Sequence, residues 1–287
     1  MRLQLVVNPS AGGGRATKVL PAVTAALGSH DLVVSPTTSL EHADSLVAEA
    51  VADERVVVAM GGDGIVGRVA GTVASLNGVM AVVPGGRGND FCRSVGIPRD
   101  PVAAATALSS YVETPIDLGY AGDRAFIGIA SIGFDSDCQE RALRSTLPLG
   151  QLTYLVAALA TVASWKPAAF HCTVDGAPLE LEGWSVAVAN TGMYGGGMHL
   201  APAASVTDGK LDVVTTSTTT RRRFLRSLPK VFSGTHVEMP SVSVRTATVV
   251  TLDADRKFRV FADGDPVATL PCTVTIRPAA LRVLLPA

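Results

Sequence analysis

The sequence predicts an N-terminal doubly wound parallel α/β domain followed by a C-terminal antiparallel β-sandwich, a chain of mixed α/β and all-β class. Three observations carry this. Short apolar runs alternate with helix-periodic stretches as far as Leu118. Several of those runs break off abruptly into glycine-rich turns. Beyond Gly119 the alternation gives way to strand-like segments separated by turn residues.

The elements follow in order. Residues 3–7 read as a first buried strand that ends at Asn8-Pro9-Ser10-Ala11-Gly12-Gly13-Gly14, and residues 16–27 carry apolar positions at helical spacing. Residues 32–34 form a second strand; Thr37 opens a turn into a helix over 41–52. The third strand, 56–60, runs into Gly61-Gly62-Asp63-Gly64 and a helix over 66–76. The fourth, 79–83, runs into Pro84-Gly85-Gly86-Arg87-Gly88-Asn89-Asp90, with a helix over 101–109 beyond. Strict alternation with short loops predicts right-handed crossovers and a parallel sheet, with ligands at the carboxyl ends of the strands. Strands at 125–130, 170–174, 184–189, 211–216, 246–252, 258–262 and 273–278 make up the second domain, with one or two inserted helices, one over 152–165. The expected domains are residues 1–118 and 119–278, with 279–287 offering a return to the first.

Composition narrows the function classes. Charged residues make up 17 % of 287 positions and the formal net charge is −1, which disfavours a nucleic-acid partner. Cys92, Cys138, Cys172 and Cys272 are scattered without metal-ligand spacing and read as reduced thiols of a cytoplasmic protein. No secretory leader is apparent, and the apolar stretch 152–165 is too short to span a bilayer. The serines lack a strand-to-helix nucleophile motif, which argues against a hydrolase.

The informative chemistry lies in the paired glycine loops. One such loop is explained by a tight turn alone. Two at neighbouring strand ends, each with a carboxylate, suit a nucleotide: backbone N–H groups cradle phosphate, and Asp63 and Asp90 supply charge for a magnesium–phosphate complex. Asp263-Gly264-Asp265 reads as a hairpin turn and a site at once.

These motifs, together with Gly96-Ile97-Pro98, Ile116-Asp117, Gly133-Phe134-Asp135, Asn190-Thr191-Gly192, Gly195-Gly196-Gly197, Ala201-Pro202 and Asp208-Gly209-Lys210-Leu211, stand in the order found in the diacylglycerol and sphingosine lipid kinases. The chain resembles the soluble bacterial branch of that family over nearly its whole length. The resemblance implies ATP- and Mg2+-dependent transfer of a γ-phosphoryl group to a lipid hydroxyl, most readily that of diacylglycerol, in a cleft between the two domains. It assigns Asn8 and Thr37 to the nucleotide, Gly61, Gly62, Gly64, Gly85, Gly86 and Asn89 to the phosphate loops, and Asp63, Asp117 and Asp265 to catalysis. It assigns Asp63 and Asp117 to the magnesium–water network and Asp208 to a second, structural magnesium. NAD kinase is the neighbouring enzyme class, and a non-catalytic binding member of the family is a further alternative.

The chain departs from the family pattern at four places: Ile65 for Thr, Arg68 for Glu, Arg87 for a small hydroxyl residue and Asp265 for Glu. Arg221, Arg222, Arg223 and Arg226, continuing to Lys230, form the one concentrated basic segment. It reads either as a solvated face or as a contact to anionic headgroups, placing the protein peripherally at the inner membrane face. An exposed sandwich edge leaves a homodimer open.

Overall fold

The computed structural model describes residues 1–144 and 152–287. The N-terminal unit comprises β1 (Arg2–Val7), α1 (Ala11–Ala26), β2 (Asp31–Pro36), α2 (Leu40–Ala52), β3 (Val56–Gly61), α3 (Asp63–Ser75), β4 (Val79–Pro84), α4 (Asp90–Ser94) and α5 (Pro101–Ala107). Its strands pair in parallel in the order β2-β1-β3-β4. β1, β3 and β4 are buried along nearly their whole length, as near-continuous apolar runs require when helices cover both faces.

Two local features differ from the sequence expectation. The helix after the third strand begins at Asp63, with Gly62 extended at its N-cap, so this carboxylate lies in the first helical turn. Gly12, Gly13 and Gly14 have φ of 63°, 71° and 85°, a left-handed turn that only glycine adopts readily, before α1 proper.

β5 (Val112–Ala121) leads into the second unit: β6 (Arg124–Phe126), β7 (Ile129–Gly133), α6 (Phe134–Arg144), α7 (Leu152–Ser164), β8 (Ala168–Val174), β9 (Ala177–Ala189), β10 (Met193–Tyr194) and β11 (Met198–His199). It continues through β12 (Leu211–Ser217), α8 (Arg221–Ser233), β13 (Val242–Ala247), β14 (Val249–Leu252), β15 (Arg259–Ala262), β16 (Asp265–Thr269) and β17 (Cys272–Leu285). Its main path is β16-β15-β7-β9-β8-β14-β17, with β12 and β13 branching from β9. The strand expected over 125–130 divides at Ile127–Gly128, because the Asp263 carboxylate takes both of those N–H groups. Likewise 246–252 divides at Thr248, whose N–H and hydroxyl bond to Asp175.

The sandwich core is aromatic. Trp184 stacks on Phe224 at 3.8 Å, and Phe134 meets Phe224 edge-on at 4.8 Å. Each such pair contributes about 0.5–1.5 kcal/mol beyond area burial.

One strand joins the two units. β17 pairs antiparallel with β5 along both its halves; its first half also pairs antiparallel with β14, and its second half pairs parallel with β4, Arg282 facing Val79 and Val283 facing Met80. The register breaks between Arg277 and Leu281, where Ala279 has φ of 50° and donates its N–H to Asp117 Oδ1 at 2.8 Å. Asp117 Oδ2 takes Gly209 N–H at 2.7 Å, and Asn190 donates to the Asp117 carbonyl. A buried carboxylate thus pins the crossover from both sides.

Because β17 spans both units, they should unfold together. Leu281→Ala removes a side chain that is 1 % exposed, and a loss of about 2–5 kcal/mol is expected. The two tryptophans lie in the sandwich, so their fluorescence reports that unit while far-UV circular dichroism adds the α1–α5 helices. In urea, both midpoints should fall by the same amount; a shift in one alone would show uncoupled units.

Candidate functional site

The two glycine loops touch backbone to backbone. Gly85 N–H donates to the Gly61 carbonyl at 2.8 Å. A Cβ on Gly85 would lie 3.0 Å from Gly61 N, and one on Gly86 would collide with Gly62 Cα. The β1–α1 turn joins them, since a Cβ on Gly12 would stand 2.8 Å from the Gly85 carbonyl. Glycine is required here by close approach as much as by conformation.

Asp63 locks this contact. Its Oδ1 accepts Asp90 N–H at 2.7 Å and its Oδ2 accepts Asn89 N–H at 3.0 Å, tying the start of α3 to the second loop. Asn89 sits at φ 51°, and its amide bonds to both Gly86 N–H and the Gly86 carbonyl, so it frames the loop from inside. Asp90 reaches across to the second unit, accepting Gly196 N–H at 2.9 Å. Arg93 donates to the Gly88 carbonyl and lies against Gly197.

The β15–β16 hairpin closes over the same helix. Its tip residue Asp263, at φ 50°, takes Ile127 and Gly128 N–H at 2.8 Å each and lies against Gly67 of α3. Asp265 lies over Gly64, where a Cβ would come 2.8 Å from its Oδ2. Asp265 alone of these four carboxylates makes no hydrogen bond among the described residues. It lines a cavity of about 480 Å3 together with Gly64, Arg68, Asp44, Arg124, Tyr120 and Arg277.

Crowding of acids shifts their proton affinity. Burial raises the Asp63 carboxyl against the pull of its backbone N–H bonds. Asp90 is pushed up to about 6 by burial and then by the Asp63 charge. Asp263 rises to about 7, burial outweighing its N–H donors. Burial also raises Asp265, offset in part by Arg124.

The remaining assigned residues fall in three places. Asn8 lies beside Gly61, its Oδ1 taken by Ser10 N–H, and Thr37 is buried at the end of β2 with its N–H on the Val7 carbonyl. Asp117 and Asp208 stand at the interdomain crossover, where Asp208 Oδ1 accepts Lys210 N–H. Asp63 lies at the glycine loops, apart from Asp117 and Asp208, and among the described residues no three His, Cys, Asp or Glu side chains form a metal cage. Asp117 binds backbone N–H groups of two different elements at the crossover, away from the glycine loops that Asp63 holds. The donor set beside the loops still fits a hydrated magnesium, which binds through one or two carboxylates plus substrate phosphates. Asp63 and Asp90 both come within 3.0 Å of a Cβ placed on Gly88.

Sequence reasoning missed Asp263 as a distinct buried acid, and missed the cavity wall. Asp263 was legible in the Asp263-Gly264-Asp265 motif; Arg124 carries no motif signal. The wall explains Arg68: its Nε donates to both Asp44 oxygens at 3.0 Å, its Nη2 pairs with Asp44 Oδ2, and Thr72 donates to Oδ1 at 2.7 Å. Burial works to raise the Asp44 carboxyl, but Arg68 and Thr72 prevail and hold it below its ordinary value.

Residues 2–121 match the family described as diacylglycerol kinase catalytic domain, and residues 128–285 match the YegS C-terminal NAD kinase beta sandwich-like domain. A diacylglycerol kinase of Mycobacterium tuberculosis is 34 % identical, with 99 % of this chain and 95 % of the relative covered. A YegS-like lipid kinase of Pseudomonas aeruginosa is 31 % identical over 100 % of this chain and 95 % of its own length. A solved Bacillus anthracis structure superposes with a TM-score of 0.85 at 23 % identity, covering 99 % and 95 % of the two chains; it shares the fold.

Restoring the family glutamate alone should harm this protein. Arg68→Glu places a second carboxylate against Asp44, and a clear drop in melting temperature at pH 7 is expected; adding Asp44→Ala should recover most of it. The folded Asp44 carboxyl is depressed, so its contribution is present above the unfolded value and lost as pH falls through the folded one. The gap between Arg68→Glu and the unaltered protein should therefore narrow in acid, which melts across a pH series would measure.

Proposed function

This chain belongs to the diacylglycerol kinase family of lipid kinases, and we propose that it transfers the γ-phosphoryl group of ATP to the hydroxyl of diacylglycerol. One observation carries the reading: Asp265, a carboxylate with no hydrogen bond among the described residues, stands over Gly64 at the first turn of α3, the helix that the convergent glycine loops open, and lines a cavity there. The backbone N–H groups of those loops and the positive end of α3 hold the phosphates. Asp265 accepts the acceptor's proton while the new O–P bond forms and the bond to the β-phosphate oxygen breaks, releasing ADP. Its raised proton affinity suits a base that must take up that proton. Glycine at position 64 lets α3 approach the shorter aspartate side chain. A bound magnesium ion, held from Asp63 or Asp90, would neutralise charge on the transferring group. Asp90 and Asp263 hold the second unit and the hairpin on α3, keeping Asp265 in register with the loops.

Arg87 supplies a further contact. It is exposed, and its Nη2 would lie 3.2 Å from a Cβ on Gly13, so its guanidinium bridges two of the loops. We assign it to the triphosphate, in place of the hydroxyl usual there.

The test is incubation with labelled ATP, magnesium and mixed micelles of diacylglycerol, sphingosine or ceramide, with NAD as a separate acceptor. Label is expected on diacylglycerol. Label on NAD would move the assignment to that enzyme class, and intact ATP binding without transfer would leave a binding protein. Asp265→Asn should lower kcat at least about 100-fold with nucleotide affinity retained. Arg87→Ala should instead raise the KM for ATP about tenfold with kcat little changed.

A further inference from the structure

Helix α8 carries Arg221, Arg222, Arg223, Arg226 and Lys230 and no acidic residue. Thr220 caps its start by accepting Arg223 N–H, and Gly234 ends it at φ 73°. Phe224 and Val231 are buried, and the Phe224–Trp184 stack fixes the helix on the sandwich. Arg221 donates to the Trp165 carbonyl at 2.9 Å. The other four cations enter no salt bridge among the described residues.

The helical spacing sorts the outward residues into two adjoining stripes. Arg222, Arg226, Pro229 and Ser233 form the outermost line, opposite Phe224 and Val231. Leu225 and Phe232, seven residues apart, share one flank at 38 % and 55 % exposure. Cations set beside an exposed phenylalanine and leucine on a rigid helix match the interface of an anionic bilayer, where headgroups take the charge and the acyl boundary takes the apolar flank. A purely solvated face would gain nothing from exposing Phe232. Lys166 and Arg256 extend the positive area, since Arg256 donates to the Lys166 carbonyl next to Trp165. Asp255, at 4.0 Å from Arg256, and Asp137 temper it there.

We propose that α8 docks the protein on anionic phospholipid membranes through Arg222 and Arg226, with Leu225 and Phe232 entering the interface. Among the described residues no helix is long and apolar enough to cross a membrane, so surface docking is the route these residues provide. The proposal rests on the lipid-acceptor reading for its use but not for its test, which needs neither nucleotide nor acceptor.

The full chain is sedimented with vesicles of phosphatidylcholine alone and of phosphatidylcholine mixed with phosphatidylglycerol. Binding is expected only to the mixed vesicles and should weaken with salt. Each cation near such a surface is worth about a fivefold change in affinity, so Arg222→Gln with Arg226→Gln should weaken binding roughly 25-fold. Phe232→Ser should remove the binding that survives in high salt. All the substituted side chains are exposed, and unchanged melting temperatures would confirm intact folding. Equal binding to both vesicle types, or full binding by the double variant, would overturn the proposal. So would loss of heparin binding by that variant with vesicle binding intact, which would identify a soluble polyanion as the occupant. Failure of the transfer assay with docking intact would count against the kinase reading alone.

Discussion

The carboxylate of Asp63 is the constraint on which the rest of the site depends. It accepts the N–H groups of Asn89 and Asp90 and so holds the second glycine loop against the first. Without those bonds, two backbone segments packed at the distance of Gly85 from Gly61 would leave buried N–H groups unpaired, at about 1–3 kcal/mol each. The role carries a cost: burial raises the proton affinity of Asp63, and burial raises that of Asp90 and Asp263 too, with the Asp63 charge adding to both. The first helical turn of α3 offsets part of that strain by favouring negative charge.

Coupling between the units follows from the same logic of buried acceptors meeting backbone donors. Asp90 takes Gly196 N–H and Asp117 takes Gly209 and Ala279 N–H, while within the second unit Asp263 takes Ile127 and Gly128 N–H and lies against Gly67 of α3. Each is an acid on one element satisfied by the main chain of another. Add β17, paired with β4, β5 and β14, and one continuous strand joins the two units. Three of the four carboxylates around α3 accept backbone N–H groups. Asp265 alone is left without a hydrogen bond among the described residues, which is why the proposed base is placed there.

Three of the four departures from the family pattern, Ile65, Arg68 and Asp265, each meet a neighbour that accommodates them. Ile65 packs where a Cβ on Gly61 would stand, filling the turn from the apolar side. Arg68 finds its counter-charge in Asp44, one helix away, and Thr72 completes that carboxylate's bonding. Asp265 gains reach because Gly64 presents no side chain. A glutamate at position 68 or a larger residue at 64 would each require a second change.

The sequence by itself determined the alternation of buried runs and helices, the strand ends where the glycines lie, and the order of motifs that marks the family. Those properties are local: apolar periodicity and turn chemistry act over a few residues and can be read from them. It showed Asp63 and Asp265 as acids of the site for the same reason, each lying in a short motif. Only the tertiary structure decided which acids are free. Asp117, Asp208 and Asp63 look equivalent as letters, yet Asp117 is spent on Gly209 and Ala279, far along the chain. The Arg68–Asp44 pair, the division of a strand by Asp263, and the return of β17 to β4 likewise depend on partners distant in sequence. A carboxylate's role is set by the donors that surround it after folding, and those donors are brought from elements that no local pattern connects.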